Sequence, residues 1–185
     1  MKNILLFILL FCTKVWAQND ADMKAWEAYM TPGEMHKMIA TGNGEWNAAI
    51  TMWMDPKAPP TLSTATATNE MIMGGRYQLS KNTGVMMGMP FEGMSLVGYD
   101  NAKKVFTTTW IDNFGTGTMT LEGRWDAATK TIESKGKVVD PMTGKEIEVR
   151  EVVKFIDNDT QEMQMYERRD LAERKTMEIK YTRKK

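Results

Sequence analysis

The feature that most constrains the fold is a change in the spacing of apolar residues at Gly44. From there to the end of the chain, apolar and polar residues alternate, and turn residues recur about every 8 to 12 positions. The last segment shows this best, because Met177, Ile179 and Tyr181 fall on one face while threonine, glutamate and lysine fill the other. A period of two is typical of a strand with one buried face. The pattern predicts an all-β domain over residues 44–185.

Eleven candidate strand segments follow from the alternation, and we expect some of them to merge across a bulge. They cover 45–54, 62–73, 76–80, 85–89, 94–99, 105–112, 118–125, 131–138, 147–156, 160–168 and 175–183. Short connections rich in turn residues favour consecutive hairpins in up-and-down order. About ten antiparallel strands remove their exposed edges by closing into a ring. The sequence therefore predicts a closed or nearly closed antiparallel β-barrel, with a β-sandwich as the alternative.

Two short helical segments are expected in the lead that covers residues 18–43. The first carries three large apolar residues at helical spacing: Met23, Trp26 and Met30. In the second, Thr31 is placed to cap, Pro32 fits the first helical position and Glu34 completes a capping box. Its apolar face consists of Met35, Met38 and Ile39, and Gly42 ends it.

The first seventeen residues have the pattern of a secretory signal peptide. Lys2 precedes an apolar run that ends at Cys12, and Ala17 suits cleavage before Gln18. The run is far shorter than the roughly 20 residues that a bilayer requires, so no stable membrane span is expected. A lipid anchor on Cys12 is disfavoured, because the bulky Phe11 stands where a small residue is usual. We therefore expect export, either to a periplasm or out of the cell.

Cleavage would leave about 168 residues, enough for one domain with a sizeable core. It would also remove Cys12, the only cysteine, and with it any disulfide, thiolate nucleophile or cysteine metal site. Loss of Lys2 and Lys14 takes the formal charge from zero to about −2, with acids and bases interspersed. This distribution predicts no nucleic-acid partner. Nothing in the sequence specifies an oligomeric state.

No catalytic motif is recognisable. There is no G-x-S-x-G elbow, and His36 is the single histidine available to activate a serine. Candidate acids such as Glu92, Asp100 and Asp112 have no spacing that fixes the separation required for glycoside chemistry. The chain carries no mark of an enzyme.

Two metal or cofactor hypotheses compete with simpler explanations, and no cofactor is predicted. Thioethers such as Met87 and Met89 suit copper(I), but the same alternate spacing is what a core or a pocket lining requires. His36 would serve as a haem ligand, but a helix residue that is hydrogen-bonded near the barrel mouth is the favoured explanation. Arg76, after two glycines, is either an anchor for a ligand's polar group or a structural residue of a hairpin.

Two sets of residues carry a family resemblance. Trp46, at the start of the first strand, and Arg183, at the end of the last, resemble the lipocalin and calycin closure, in which a late arginine packs over a first-strand tryptophan. The stretches TPGEMHKMIA, GEW, MIMGGRY, GMPFEG, GYDNAKK, WIDNFGTG, EGRWD and YTRK resemble domain-of-unknown-function family 1579 (DUF1579). The resemblance implies a lipocalin-like barrel of uncharacterised activity, and it supplies no catalytic residues.

These observations lead to a carrier hypothesis, in which the barrel interior binds a small hydrophobic or amphipathic molecule. The stretch MMGMPFEGM is interpreted as two strand segments around a Gly-Met-Pro kink, with Met87, Met89, Phe91 and Met94 facing inward. The candidate lining is Trp53, Tyr77, Met87, Phe91, Tyr99 and Trp110, with Arg76 as polar anchor. The alternatives are a structural or interaction protein with a solid core, or a copper or haem protein.

Overall fold

The computed structural model of the protein describes residues 20–169 and 172–185. Helix α1 is described over 20–30, and α2 covers Glu34–Ala40. Ten strands follow: β1 (Gly44–Met52), β2 (Thr61–Ile72), β3 (Tyr77–Met86), β4 (Met89–Asp100), β5 (Val105–Asp112), β6 (Met119–Asp126), β7 (Thr131–Val139), β8 (Glu146–Phe155), β9 (Thr160–Arg168) and β10 (Glu173–Arg183). The predicted signal peptide lies outside the described residues and stays a prediction.

The ten strands form one closed antiparallel barrel. Each strand pairs with its predecessor in the chain, and β10 returns to pair with β1. Closure gives every strand two hydrogen-bonded neighbours and leaves no free sheet edge. The predicted up-and-down barrel is therefore confirmed, and the sandwich alternative is wrong.

The stretch MMGMPFEGM forms a hairpin rather than a kinked pair of segments. Met87 and Gly88 are its two loop residues, with φ of 53° and 78°, and Met86 pairs with Met89 on either side. Both residues of such a two-residue hairpin loop have positive φ, and asparagine followed by glycine is the usual sequence signal for it. Here methionine occupies the first position, so the sequence does not show this signal. The predicted segment 76–80 and the first two residues of 85–89 consequently belong to the single strand β3, whereas the rest of 85–89 forms the loop and the first residue of β4.

Helix α2 closes one end of the barrel, and we call it the plug. Ile39 is buried among side chains from several strands, and Met35 and Met38 pack beside it, as their spacing predicts. Two strand amides hold its C-terminal end: Gln78 donates to the carbonyl of Ile39, and Asn69 donates to that of Gly42. The opposite end of the barrel is called the open end.

The capping box predicted at the N-terminus of the plug is wrong, because Pro32 precedes the N-cap and Glu34 is the first helical residue. The N-cap is Gly33, whose N–H donates to Nδ1 of His36 at 3.0 Å. Thr31 instead completes α1, because its hydroxyl donates to the carbonyl of Glu27 at 2.6 Å. The threonine therefore ends one helix rather than beginning the next.

Arg183 and Trp46 close the ring beside the plug, as predicted, and we call this pair the clasp. They are register partners across β10 and β1, and the guanidinium carbon lies 4.3 Å from the centre of the indole ring. The guanidinium also donates to the carbonyls of Thr41, Asn43 and Asn158. The indole N–H in turn donates to the carbonyl of Gly42 at 2.8 Å. One side chain thus joins both edges of the ring to the plug.

Replacing the clasp arginine tests how much the closure contributes to stability. Arg183→Lys keeps the charge but loses the planar fork and several donors, so we expect the free energy of unfolding to fall by about 2 kcal/mol. Arg168→Lys makes the same chemical change in an exposed ion pair with Glu148 and should cost less than about 0.5 kcal/mol. Urea unfolding followed by tryptophan fluorescence measures both values, and equal costs would contradict the role of the clasp.

Candidate functional site

The barrel interior contains two separate apolar clusters. One surrounds the plug and includes Phe106 and Ile132, with Tyr99 packed against it. The other lies toward the open end and includes Met86 and Phe91. Both are built from the inward-facing alternate residues of their strands.

Inward-facing polar side chains separate these clusters, and we call them the polar band. On β5, Thr108 lies between Phe106 of the plug cluster and Trp110, which packs against the open-end cluster. Ser95 also faces inward, on β4, where its register partner in β5 is Trp110. The members are Ser80, Asn82, Ser95, Thr108, Ser134 and Glu151.

Many inward-facing side chains are only partly buried. Among the apolar ones are Trp110, Val153 and Met165. In the polar band, Thr108 and Glu151 have intermediate exposure although their strands are paired on both sides. Because the closed wall shields these side chains from outside, their accessible surface borders space within the ring. We call this space the lumen.

Glu151 is the most unusual group in the lumen. It faces inward with Val149 and Val153 on either side, and it pairs with Ser134 on β7. Burial raises the pKa of its carboxyl to about 7, and no neighbouring cation or hydrogen-bond donor among the described residues opposes this rise. Tyr181 also faces inward; burial first, and then the nearby Glu151 carboxylate, raises the pKa of its phenol.

Other charged groups that face inward are engaged near the barrel ends. Asp112 accepts the indole N–H of Trp110 at 2.7 Å. Glu167 pairs with Arg169. Two arginines of β10 share the inward phase: Arg183, whose donors are used by the clasp, and Arg174, which is exposed near the start of the strand opposite Glu167. The middle of the lumen therefore carries a single ionisable carboxyl without a counter-ion.

Three of the predicted lining residues do face inward. Phe91 is buried in the open-end cluster and stacks with Trp110 at a ring separation of 6.3 Å. Tyr99 faces inward near the plug, where His36 approaches its ring edge-on at 5.9 Å. Their role in ligand binding stays a prediction.

Other residues predicted to face the interior lie outside it. Tyr77 is 39% exposed on the outer face, where its ring covers Gly98. Met87 is 50% exposed because it occupies the hairpin loop. Met89 and Met94 are exposed as well. The inward placement of Tyr77 and Met94 is wrong, since a strand error of one residue reverses the face, and that of Met87 is wrong because it lies in the loop. Met89 shares the inward phase of Phe91 but is exposed where β4 begins.

Trp53 and Arg76 are also displaced from the predicted site. Trp53 lies just after β1 ends, and the ammonium of Lys175 lies 4.7 Å from the centre of its ring. Arg76 donates to the carbonyls of Met73 and Met30, so it fixes the β2–β3 loop to α1. Arg76 is thus a structural residue of the β2–β3 hairpin, which is one of the two predicted roles. The other predicted role, an anchor for a ligand's polar group in the interior, is wrong.

His36 is engaged within the plug. One ring nitrogen accepts the N–H of Gly33, and the other hydrogen-bonds the backbone of Tyr99. Burial lowers its pKa, while the bond to Tyr99 acts in the opposite direction. These contacts agree with the hydrogen-bonded helix residue that the sequence allowed, and they leave no nitrogen directed at a haem.

Within residues 20–169 and 172–185, no group of three or more histidine, cysteine, aspartate or glutamate side chains is placed to hold a metal ion. Met163 and Met165 share the inward face, as their spacing predicts. Met87 instead lies in the exposed turn and Met89 directly follows it, so the copper hypothesis for them stays a prediction.

A shallow groove of about 700 Å³ lies outside the barrel, across β10, β1, β2 and β3. Its wall consists largely of short side chains such as Ala49, Thr64 and Thr66. Because the groove is open to solvent, it offers a ligand little enclosure. The lumen is the better candidate site.

Sequence reasoning missed Glu151, although a signal was present. In β8 the alternate residues Ile147, Val149, Val153 and Phe155 are apolar, and Glu151 interrupts their series in phase. A charged residue in phase with an apolar face is costly unless it has a partner or a role. That interruption marks the candidate site.

Comparison with known proteins gives one match. The family model described as "Protein of unknown function (DUF1579)" matches residues 31–183. No curated protein matches the chain. Of the helices that the structure describes, none has the length and apolar character to cross a membrane.

Neutralising Glu151 should change stability in a pH-dependent way. The folded protein holds this proton more tightly than the unfolded chain, so stability is lost as pH rises from the ordinary pKa of 4.5 to about 7. Glu151→Gln should therefore raise the free energy of unfolding by up to about 3 kcal/mol at pH 8 and change little at pH 4. Protonation of His36 at low pH should change the stability of the native protein and of Glu151→Gln by the same amount.

Thermal or urea unfolding of the two proteins at both pH values measures this difference. The exposed Glu148→Gln, on the outer face of the same strand, is the matched control and should show no pH-dependent gain. A variant that is equally stabilised at pH 4 and pH 8 would contradict an uncompensated carboxyl in the lumen.

Proposed function

The chain belongs to the DUF1579 family, whose description assigns no activity, and we propose that it is a lipocalin-like carrier that binds a small apolar or amphipathic molecule in its lumen. The proposal includes export by the predicted signal peptide. The observation that carries it is the partial exposure of inward-facing side chains halfway along closed strands, among them Thr108, Glu151 and Val153. A core packed solid would leave such side chains fully buried.

The composition of the lumen supports an amphipathic ligand. Aromatic and thioether groups such as Phe91, Trp110 and Met165 offer an apolar surface that adapts to different shapes. The polar band offers hydroxyl, amide and carboxyl groups at one level. Binding sites for small molecules commonly combine a mostly apolar wall with a few polar groups that fix orientation.

A neutral fluorescent probe tests binding in the lumen. We expect N-phenyl-1-naphthylamine to show saturable fluorescence enhancement with the native protein, because it is apolar and brightens out of water. Thr108→Trp places an indole in the lumen and should weaken binding by about tenfold or more. The control Thr109→Trp adds the same group to the outer face of the same strand and should leave binding unchanged.

Thermal unfolding shows whether each variant is folded at the assay temperature. Native protein that gives no saturable enhancement would contradict the carrier proposal. Equal weakening by Thr108→Trp and Thr109→Trp, in folded proteins, would place the probe outside the lumen.

A second candidate function rests on an apolar surface at the open end. Leu62, Val85 and Met87 are each at least half exposed and surround a depression of about 470 Å³, and we call them the apolar rim. Exposed apolar patches of this kind also serve as protein contact surfaces. An interaction protein that docks through the rim is therefore the alternative to the carrier.

Photocrosslinking distinguishes the alternative. If the rim docks a partner, a photoreactive amino acid in place of Leu62 should give a discrete crosslinked species in the native envelope. The same amino acid in place of the exposed Lys135, on the outer face of β7, should give none. No crosslink from either position would remove the interaction hypothesis.

A further inference from the structure

We propose that the lumen selects amphipathic organic cations, whose ammonium group pairs with the carboxylate of Glu151. This inference rests on the proposed carrier function and names the chemical class of the ligand. It begins from the position of Glu151, which faces inward in the middle of β8 and pairs with Ser134 and Met165 in the neighbouring strands. Neither partner carries a charge, so the wall of the barrel does not neutralise the carboxylate.

Glu151 is enclosed by the wall of the barrel. The residue nevertheless keeps an intermediate exposure within the closed ring, so space for an incoming group lies beside it. An ionised carboxylate in such a place costs free energy until it is protonated or paired. A bound cation supplies the missing partner, and it replaces the proton that Glu151 otherwise holds near neutral pH.

The distribution of the other charges disfavours the opposite ligand class. Arg183 is fixed in the clasp at the plug end, and Arg174, the other arginine of β10 with inward phase, is exposed near the start of that strand, away from the middle of the lumen. An anion in the lumen, such as a fatty-acid carboxylate, would find no free cation there and would be repelled by Glu151. Tyr181 stays a neutral phenol at physiological pH, because burial raises its pKa.

The level of Glu151 sets the shape of the ligand. The polar band separates the plug cluster from the open-end cluster. A cationic head group at Glu151 therefore leaves an apolar tail to extend toward Phe91 and Trp110 near the open end. Aromatic rings attract an alkylammonium group through cation–π interactions, and they also pack against its apolar tail. An alkylamine or alkylammonium compound has this arrangement, whereas a compact metal ion does not.

Three probes with the same twelve-carbon chain test the charge preference: dodecyltrimethylammonium, dodecanol and dodecanoate. Each displaces N-phenyl-1-naphthylamine from the native protein at pH 8, below its micelle concentration. We expect the cation to compete at a concentration about tenfold or more below that of the alcohol, and the anion to compete least well. Glu151→Gln should remove the preference for the cation, so that dodecyltrimethylammonium and dodecanol then compete at similar concentrations. The control Glu148→Gln, on the outer face of β8, should keep it.

The pH dependence gives a second readout. The quaternary ammonium keeps its charge, so its affinity should rise between pH 5 and pH 8 as Glu151 ionises, and Glu151→Gln should flatten the profile. Other groups near the lumen are Tyr181, which stays neutral here, Asp112, which is bonded to Trp110, and His36 behind Tyr99. Their contributions would persist in the variant.

The outcomes separate the two proposals. If the native protein does not bind N-phenyl-1-naphthylamine, the carrier function fails, and this inference fails with it. If that probe binds but the three twelve-carbon compounds compete equally, the carrier stands and the cation selectivity is wrong. A cation preference that survives Glu151→Gln would also overturn the role of Glu151.

Discussion

The contact of Arg183 with Trp46 is the interaction on which the rest of the structure depends. A chain of consecutive hairpins must bring its first and last strands together, and here the clasp adds a side-chain contact to the ladder between β1 and β10. The guanidinium covers the indole and satisfies carbonyls of the plug and of the β8–β9 turn. These carbonyls lie at the barrel end, where they have no partner in the strand ladder. Arg183 donates hydrogen bonds to them, as a capping side chain does to the free backbone groups at a helix end. Closure of the ring and placement of the plug are therefore connected through one side chain.

Closure also determines how the interior is filled. A closed wall of ten strands encloses more space than short side chains occupy, so the inward-facing sequence decides whether a lumen remains. Three inward glycines are covered by large or polar neighbours: Trp110 over Gly93, the Ser134 hydroxyl over Gly123, and Leu121 over Gly136. A side chain at any of these glycines would collide with its cover. The aromatic and polar groups are thus held against the wall, which leaves the middle of the ring accessible.

The sequence predicts the architecture better than the site, for a physical reason. Alternation and hairpin turns identify strands because the side chains of every strand point to two faces, and the clasp residues stand out at the two ends of the pattern. Which face is inward depends on register to one residue, and the turn at Met87 and Gly88 carries no usual signal. Tyr77 lies on the outer face, contrary to the prediction, and its ring packs over Gly98 there. Glu151 was missed because a search for apolar periodicity passes over a charge within it.

The energetics of Glu151 explain why such a charge persists. A neutral residue of similar shape would remove the cost of an enclosed carboxylate at neutral pH, so the folded state gains nothing from the charge itself. The cost disappears when a proton or a cation binds, and each of these excludes the other. Ligand binding and proton release are thus linked at one side chain, and acidification favours release of a bound cation. Glu151 therefore lowers the stability of the empty barrel and raises that of the barrel with a bound cation. A trade of stability for function is common at binding sites.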